Sequence, residues 1–100
     1  LYIDLISYQL AEGVTEHHLR EVAERIHNEW MKRQPGFLKW EITKGENGTY
    51  TDFVYWESQE AAGESEQRMK DIPNAEEWHA CYRFDSIKNQ KLYPIAGFSN

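Results

Sequence analysis

Cysteine is almost missing from this chain: Cys81 is the only one. A lone thiol cannot close an internal disulfide, which excludes a small disulfide-stapled scaffold and suits a reducing, cytoplasmic setting. Positive charge is also scarce. Eleven Lys and Arg face seventeen Asp and Glu, a formal net charge of −6. Nucleic acid and anionic membrane surfaces require a basic footprint, so neither is an expected partner. No apolar run approaches the roughly 20 residues that span a bilayer. Leu1 to Leu10 includes Asp4 and lacks a basic leading segment, so it does not read as a signal peptide. Linkers, low-complexity segments and internal repeats are absent, as are a Gly-rich phosphate loop, an H-E-x-x-H pair and a G-x-S-x-G elbow. Aromatic rings, by contrast, are plentiful: four Trp, six Tyr and four Phe in 100 residues. That length makes one domain, 1–100, whose core is modest for so much ring surface.

Leu1 to Leu10 reads as a strand with apolar side chains on both faces: Leu1, Ile3 and Leu5 on one, Tyr2, Ile6, Tyr8 and Leu10 on the other. After a turn around Gly13, Thr15 is placed to cap a helix and Glu16 complements its dipole. Leu19, Val22, Ala23, Ile26 and Trp30 follow at helical spacing. Pro35-Gly36 stops the helix, which the spacing puts at about 16–34. Phe37 to Thr43 reads as a second strand, with Leu38, Trp40 and Ile42 on one face and Phe37, Lys39, Glu41 and Thr43 on the other. A hairpin turn at Gly45 to Gly48 leads to a third strand, Tyr50 to Glu57. Ser58 caps a second helix running to about Lys70. Pro73-Asn74 breaks it, Ala75 to Cys81 forms a short third helix, and Ser86 to Ile95 is the last strand.

The order β-α-β-β-α-(α)-β predicts an α+β fold, the ferredoxin-like βαββαβ pattern with a four-stranded antiparallel sheet and both long helices on one face. The other face still carries rings and aliphatics from at least three strands. An apolar face of that kind marks an interaction surface. A second copy, related by a two-fold axis, is the simplest cover and would give a dimeric α/β barrel. The plainer alternative is a single core holding all the rings.

These residues resemble the dimeric α/β-barrel superfamily, and within it the antibiotic biosynthesis monooxygenase-like domains. The resemblance runs over nearly the whole chain. It is carried by Gln34-Pro35-Gly36-Phe37, by Val54-Tyr55-Trp56-Glu57-Ser58, and by the Pro73-to-Tyr82 segment with Trp78. It implies a cavity between sheet and helices. Some members oxidise aromatic polyketides with oxygen and with neither metal nor flavin, using an Asn and a Trp four residues apart on the third strand. The matching positions are Asp52 and Trp56. The Trp is kept, whereas an ionised Asp accepts hydrogen bonds but cannot donate one. Other relatives degrade haem through a first-strand Asn, a second-helix Trp and an axial His. His79 falls near that His, but Ile6 or Ser7 stands for the Asn and Ser65 near the Trp.

The candidate catalytic residues are therefore Asp52, Trp56 and His79, and the candidate substrate-binding residues are Tyr8, Trp40, Tyr55, Tyr82 and Ser7. An apolar pocket lined by these rings needs a few placed polar groups, which Asp52 and Ser7 would supply. Buried there, Asp52 would have a raised pKa and suit a base. The alternative makes Asp52 an exposed strand residue near the hairpin, His79 a solvated histidine, and the rings core and interface. His79 and Cys81 are too few for a zinc site, and His17, His18 and His27 read as surface. Three functions follow: a cofactor-independent monooxygenase of a small aromatic substrate, a non-catalytic binding or structural homodimer, and a haem-binding relative. The replaced Asn speaks for the second.

Overall fold

The computed structural model describes residues 1–100. Strand β1 is Tyr2–Tyr8, helix α1 Glu16–Glu29, β2 Phe37–Lys44, β3 Tyr50–Trp56, α2 Gln59–Gln67, α3 Ala75–His79 and β4 Lys88–Leu92. One antiparallel sheet forms in the order β2-β3-β1-β4. This is the expected ferredoxin-like α+β topology. No helix is long and apolar enough to cross a membrane.

The capping residues act as their chemistry dictates. Thr15 accepts a hydrogen bond from the His18 backbone N–H at 3.1 Å, and Ser58 accepts one from Ala61 N–H at 3.1 Å. Helix α1 buries Leu19, Val22, Ala23 and Ile26. They pack with Tyr2, Tyr8, Tyr50, Val54 and Trp56 of the sheet into one core. Each large apolar side chain so buried stabilises by roughly 1.5–3 kcal/mol.

The first helix is shorter than the expected 16–34. Trp30 leaves helical geometry at φ −139°, and a 3₁₀ turn, Met31–Arg33, follows. Trp30 and Met31 are both buried. A straight α-helix would set these consecutive side chains 100° apart, so the break lets both reach the core. Helix α2 likewise ends at Gln67 with a 3₁₀ turn, Met69–Asp71, and α3 ends at His79.

Strand β2 departs from simple alternation. Its register shifts between Phe37, opposite Trp56, and Lys39, opposite Tyr55. The inserted residue, Leu38, is 50% exposed. The bulge puts Phe37 on the helix side, its ring 5.7 Å from Trp56, instead of with Lys39, Glu41 and Thr43. Strand β4 pairs only with β1, from Lys88 opposite Ser7 to Leu92 opposite Ile3. Ile95, placed in that strand by its sequence, is 98% exposed.

Gly36 joins α1 to β2 with φ +82°, and its carbonyl accepts from Glu57 N–H at 2.8 Å. A Cβ there would sit 2.6 Å from the Ala61 Cβ. Gly36→Ala therefore meets backbone strain and a clash together, and is expected to cost about 2–4 kcal/mol in urea unfolding. A loss below about 1 kcal/mol, the ordinary cost of a left-handed residue alone, would show that α2 moves aside freely.

Candidate active site

Alternation on β3 decides the site. Tyr50, Asp52, Val54 and Trp56 point toward the helices and are buried, while Thr51, Phe53 and Tyr55 point away. Asp52 is 3% exposed and sits mid-sheet, with Ile6 of β1 and Ile42 of β2 as its cross-strand neighbours. It is not an exposed hairpin residue. The Tyr8 hydroxyl donates to its Oδ1 at 2.7 Å, and the Trp40 indole N–H donates to its Oδ2 at 3.1 Å. No Lys, Arg or His pairs with it. Burial among apolar neighbours pushes its pKa up from 3.8 to about 6, against the lowering effect of its two donors. Burial first, and the neighbouring carboxylate second, hold the Tyr8 and Tyr82 hydroxyls protonated well above the tyrosine range.

A cavity of about 480 Å³ lies between the sheet, Trp30 and Met31 just after α1, and helices α2 and α3. That is within the range of small-molecule sites. Asp52, Trp56 and His79 line it, as do Tyr8, Trp40 and Tyr82. A bridge between Leu10 and Tyr82 ties the segment after α3 to the end of β1, which sets the Tyr82 ring edge-on to Tyr8 with centroids 4.5 Å apart. His79 stacks on Trp78 at 6.0 Å and is itself exposed.

Two of the expected residues are elsewhere. Ser7 and Tyr55 lie on the opposite face of the sheet and do not line the cavity. The Ser7 hydroxyl shares a 3.1 Å hydrogen bond with the Thr51 hydroxyl, and the Tyr55 hydroxyl donates to Glu41 at 3.1 Å. The period of two forces this: each is one residue out of step with Tyr8 or Trp56.

Other lining residues were not singled out from the sequence. Asp4 and Asn89 face the cavity, as does Lys91, whose Nζ is 3.6 Å from Asp4 Oδ1. Their signal was available. Polar residues at alternate positions of β4 line up with Asp4 and Ile6 in a face that a plain core would fill with apolar groups. No group of three or more His, Cys, Asp or Glu lies together as metal ligands would.

A broader groove of about 600 Å³ runs between α1 and the β2–β3 hairpin, sharing only Trp40 with the cavity. Of its two carboxylates, Glu16 and Glu24, the first accepts from the Tyr50 hydroxyl at 2.9 Å and pairs with Lys44 at 3.3 Å. Those contacts, the Tyr50 hydrogen bond foremost, hold Glu16 below the usual carboxylate range. It is a satisfied ion pair, whereas Asp52 is a carboxylate with no counter-ion.

No protein-family profile matches the chain, and no curated protein matches it. Solved structures do. SnoaB, a cofactor-independent oxygenase from Streptomyces nogalater, superposes with a TM-score of 0.78 at 13% identity over 99% of this chain and 97% of that one. The ActVA-Orf6 monooxygenase of Streptomyces coelicolor, solved with nanaomycin D, gives 0.69 at 18% identity over 99% and 91%. A dimeric ferredoxin-like protein from an uncultured marine organism gives 0.66 at 12% over 99% and 91%. Likeness at such identities is likeness of fold, and the fold of this chain is that of the antibiotic biosynthesis monooxygenase-like structures.

Proposed function

We propose that this chain is a cofactor-independent monooxygenase of a small aromatic substrate, with Asp52 as its base. The observation that carries the reading is the Asp52 carboxylate: buried, without a counter-ion, and fixed by Tyr8 and Trp40 on the wall of an aromatic cavity. A pKa of about 6 leaves it mostly ionised at neutral pH and more basic than an ordinary aspartate. The fold neighbours named as oxygenases support the same direction.

The substrate this chemistry needs has a CH₂ group whose carbanion is stabilised by flanking aromatic rings, as in an anthrone. Asp52 takes one proton from that carbon. The carbanion passes one electron to O₂, and the radical pair joins to a peroxide anion, which Asp52 reprotonates. Loss of water from the hydroperoxide leaves a carbonyl, so CH₂ and O₂ become C=O and H₂O. Trp56 and Trp40 hold the rings, and Tyr8 keeps the carboxylate aimed. His79, at the cavity mouth, is the proton-transfer group nearest to solvent.

Haem does not fit these residues. The cavity carries Asp4, Glu66 and Asp52 with Lys91 as the one fixed cation, where two propionates would require cations.

The working unit is a homodimer joined through the open sheet faces. Ile3, Leu5, Phe53 and Tyr55 stay outside the core cluster with no helix over them, and Leu38 and Leu1 are 50% and 61% exposed. One fold neighbour is described as dimeric. The single cysteine, buried and free, suits a cytoplasmic protein.

Oxygen uptake with an anthrone tests the reading. One O₂ consumed per substrate, and a fall of about 100-fold or more in Trp56→Ala, is the expected result. Binding of the anthrone without uptake would instead make the chain a non-catalytic binding protein.

A further inference from the structure

Five side chains of the cavity close into a ring. Asp52 accepts from Tyr8 at 2.7 Å; the Tyr8 and Tyr82 rings are 4.5 Å apart; Tyr82 and Trp78 are 6.2 Å apart; Trp78 and Trp40 are 5.9 Å apart; and Trp40 donates back to Asp52 at 3.1 Å. All five line the same cavity. Four aromatic rings and one carboxylate without a counter-ion on one cavity wall make a π-rich, negatively charged lining, the kind of surface that attracts an organic cation. Both Asp52 oxygens receive one hydrogen bond, yet a carboxylate has about four acceptor positions, so attraction for a further positive group remains.

The charges around this lining point the same way. Asp4, Asp52 and Glu66 line the cavity against one ammonium, Lys91, which is already engaged near Asp4 at 3.6 Å. With a chain charge of −6, the site repels anions and draws cations.

We infer that the cavity is a binding site for an aromatic organic cation, a quaternary or protonated amine carried on an aromatic ring, with Tyr8, Trp40, Trp78 and Tyr82 as its aromatic lining and Asp52 as its counter-ion. The inference uses the same cavity as the oxygenase reading but rests on the lining alone. A cation seated there occupies the carboxylate and so competes with a substrate that needs it as a base.

The test is a pair of probes of one shape, benzyltrimethylammonium and its uncharged carbon isostere neopentylbenzene, titrated by tryptophan fluorescence at pH 7.5. The cation is expected to bind at least about tenfold tighter, with benzenesulfonate weakest of all. Asp52→Asn should bring cation and isostere to within about threefold. Tyr82→Leu, at a half-buried position that tolerates an aliphatic, should lower cation affinity several-fold and by clearly more than it lowers the isostere's. Equal affinity of the two probes for the unaltered protein, or a cation advantage untouched by both variants, would overturn the inference. Binding is read here without oxygen or turnover, so a failed oxygenase assay leaves this result standing and the reverse also holds.

Discussion

Phe53→Asp is expected to convert a dimer of the native protein into a monomer that stays folded. Phe53 lies mid-strand on the open face, opposite Leu5 on one side and Glu41 on the other. It is outside the core cluster, so its replacement leaves the packing of α1 and α2 alone. In a two-fold pair each substitution occurs twice, and the two faces would bury two new carboxylates in an apolar interface. Each would cost several kcal/mol if left unpaired. The dimer should weaken by at least about a thousandfold, with the native mass falling to that of one chain and the circular dichroism unchanged. A native protein that is already monomeric at micromolar concentration would remove the barrel.

Asp52→Asn is expected to change stability and activity in opposite directions. Asp52 has a folded pKa of about 6 against 3.8 in the unfolded chain. A raised folded pKa means that the native state favours the protonated form. The stabilisation it gives is complete below about pH 4 and disappears as pH rises through 6. At pH 7 the ionised carboxylate thus costs the fold about 3 kcal/mol relative to a neutral one. Asn is neutral at every pH, so its variant should lack this slope. Its carbonyl keeps one of the two donors, and its NH₂ faces the other, which returns part of the gain as a lost hydrogen bond. Urea unfolding from pH 4.5 to 7.5 should show the variant gaining on the native protein by about 2 kcal/mol across that window, the remainder of the roughly 3 kcal/mol falling below pH 4.5. Parallel curves would mean that Asp52 is solvated and has no raised pKa. A carboxylate kept at such a cost, in a position where Asn would fold as well, is a mark of function more than of architecture.

Much of the architecture was written locally. Thr15 and Ser58 announce helix starts by their hydroxyls, and Pro35-Gly36 and Pro73-Asn74 announce stops. The errors come from residues whose placement depends on partners. Leu38 is an inserted residue, and a period of two has no means of showing a bulge, so Phe37 was assigned to the wrong face. Trp30 left the helix because Met31 also needed the core. The extent of β4 follows its pairing with β1, far away in sequence.

The candidate site divides on the same line. Asp52, Trp56 and Tyr8 share a face by alternation and by register, and Trp40 joins them through the regular hairpin pairing that sets it opposite Val54. Tyr82 and His79 arrive through the Leu10–Tyr82 bridge, a contact of high sequence separation. Tyr55 and Ser7 were excluded by the same alternation that favoured their neighbours; grouping residues by ring or hydroxyl chemistry hid that. The burial of Asp52, and the gathering of four rings on its cavity wall, belong to the tertiary structure, because nothing between residues 50 and 57 shows that α1 and α3 exclude water from that strand.

The most direct measurement is the rate of oxygen consumption with an anthrone as a function of pH, in the native protein and in Asp52→Asn. The account predicts a rate that climbs through about pH 6 to a plateau, as the carboxylate ionises, and a loss of about 100-fold or more in the variant at the plateau. An oxygen-consuming activity of equal rate in Asp52→Asn, with no inflection near pH 6, would contradict it.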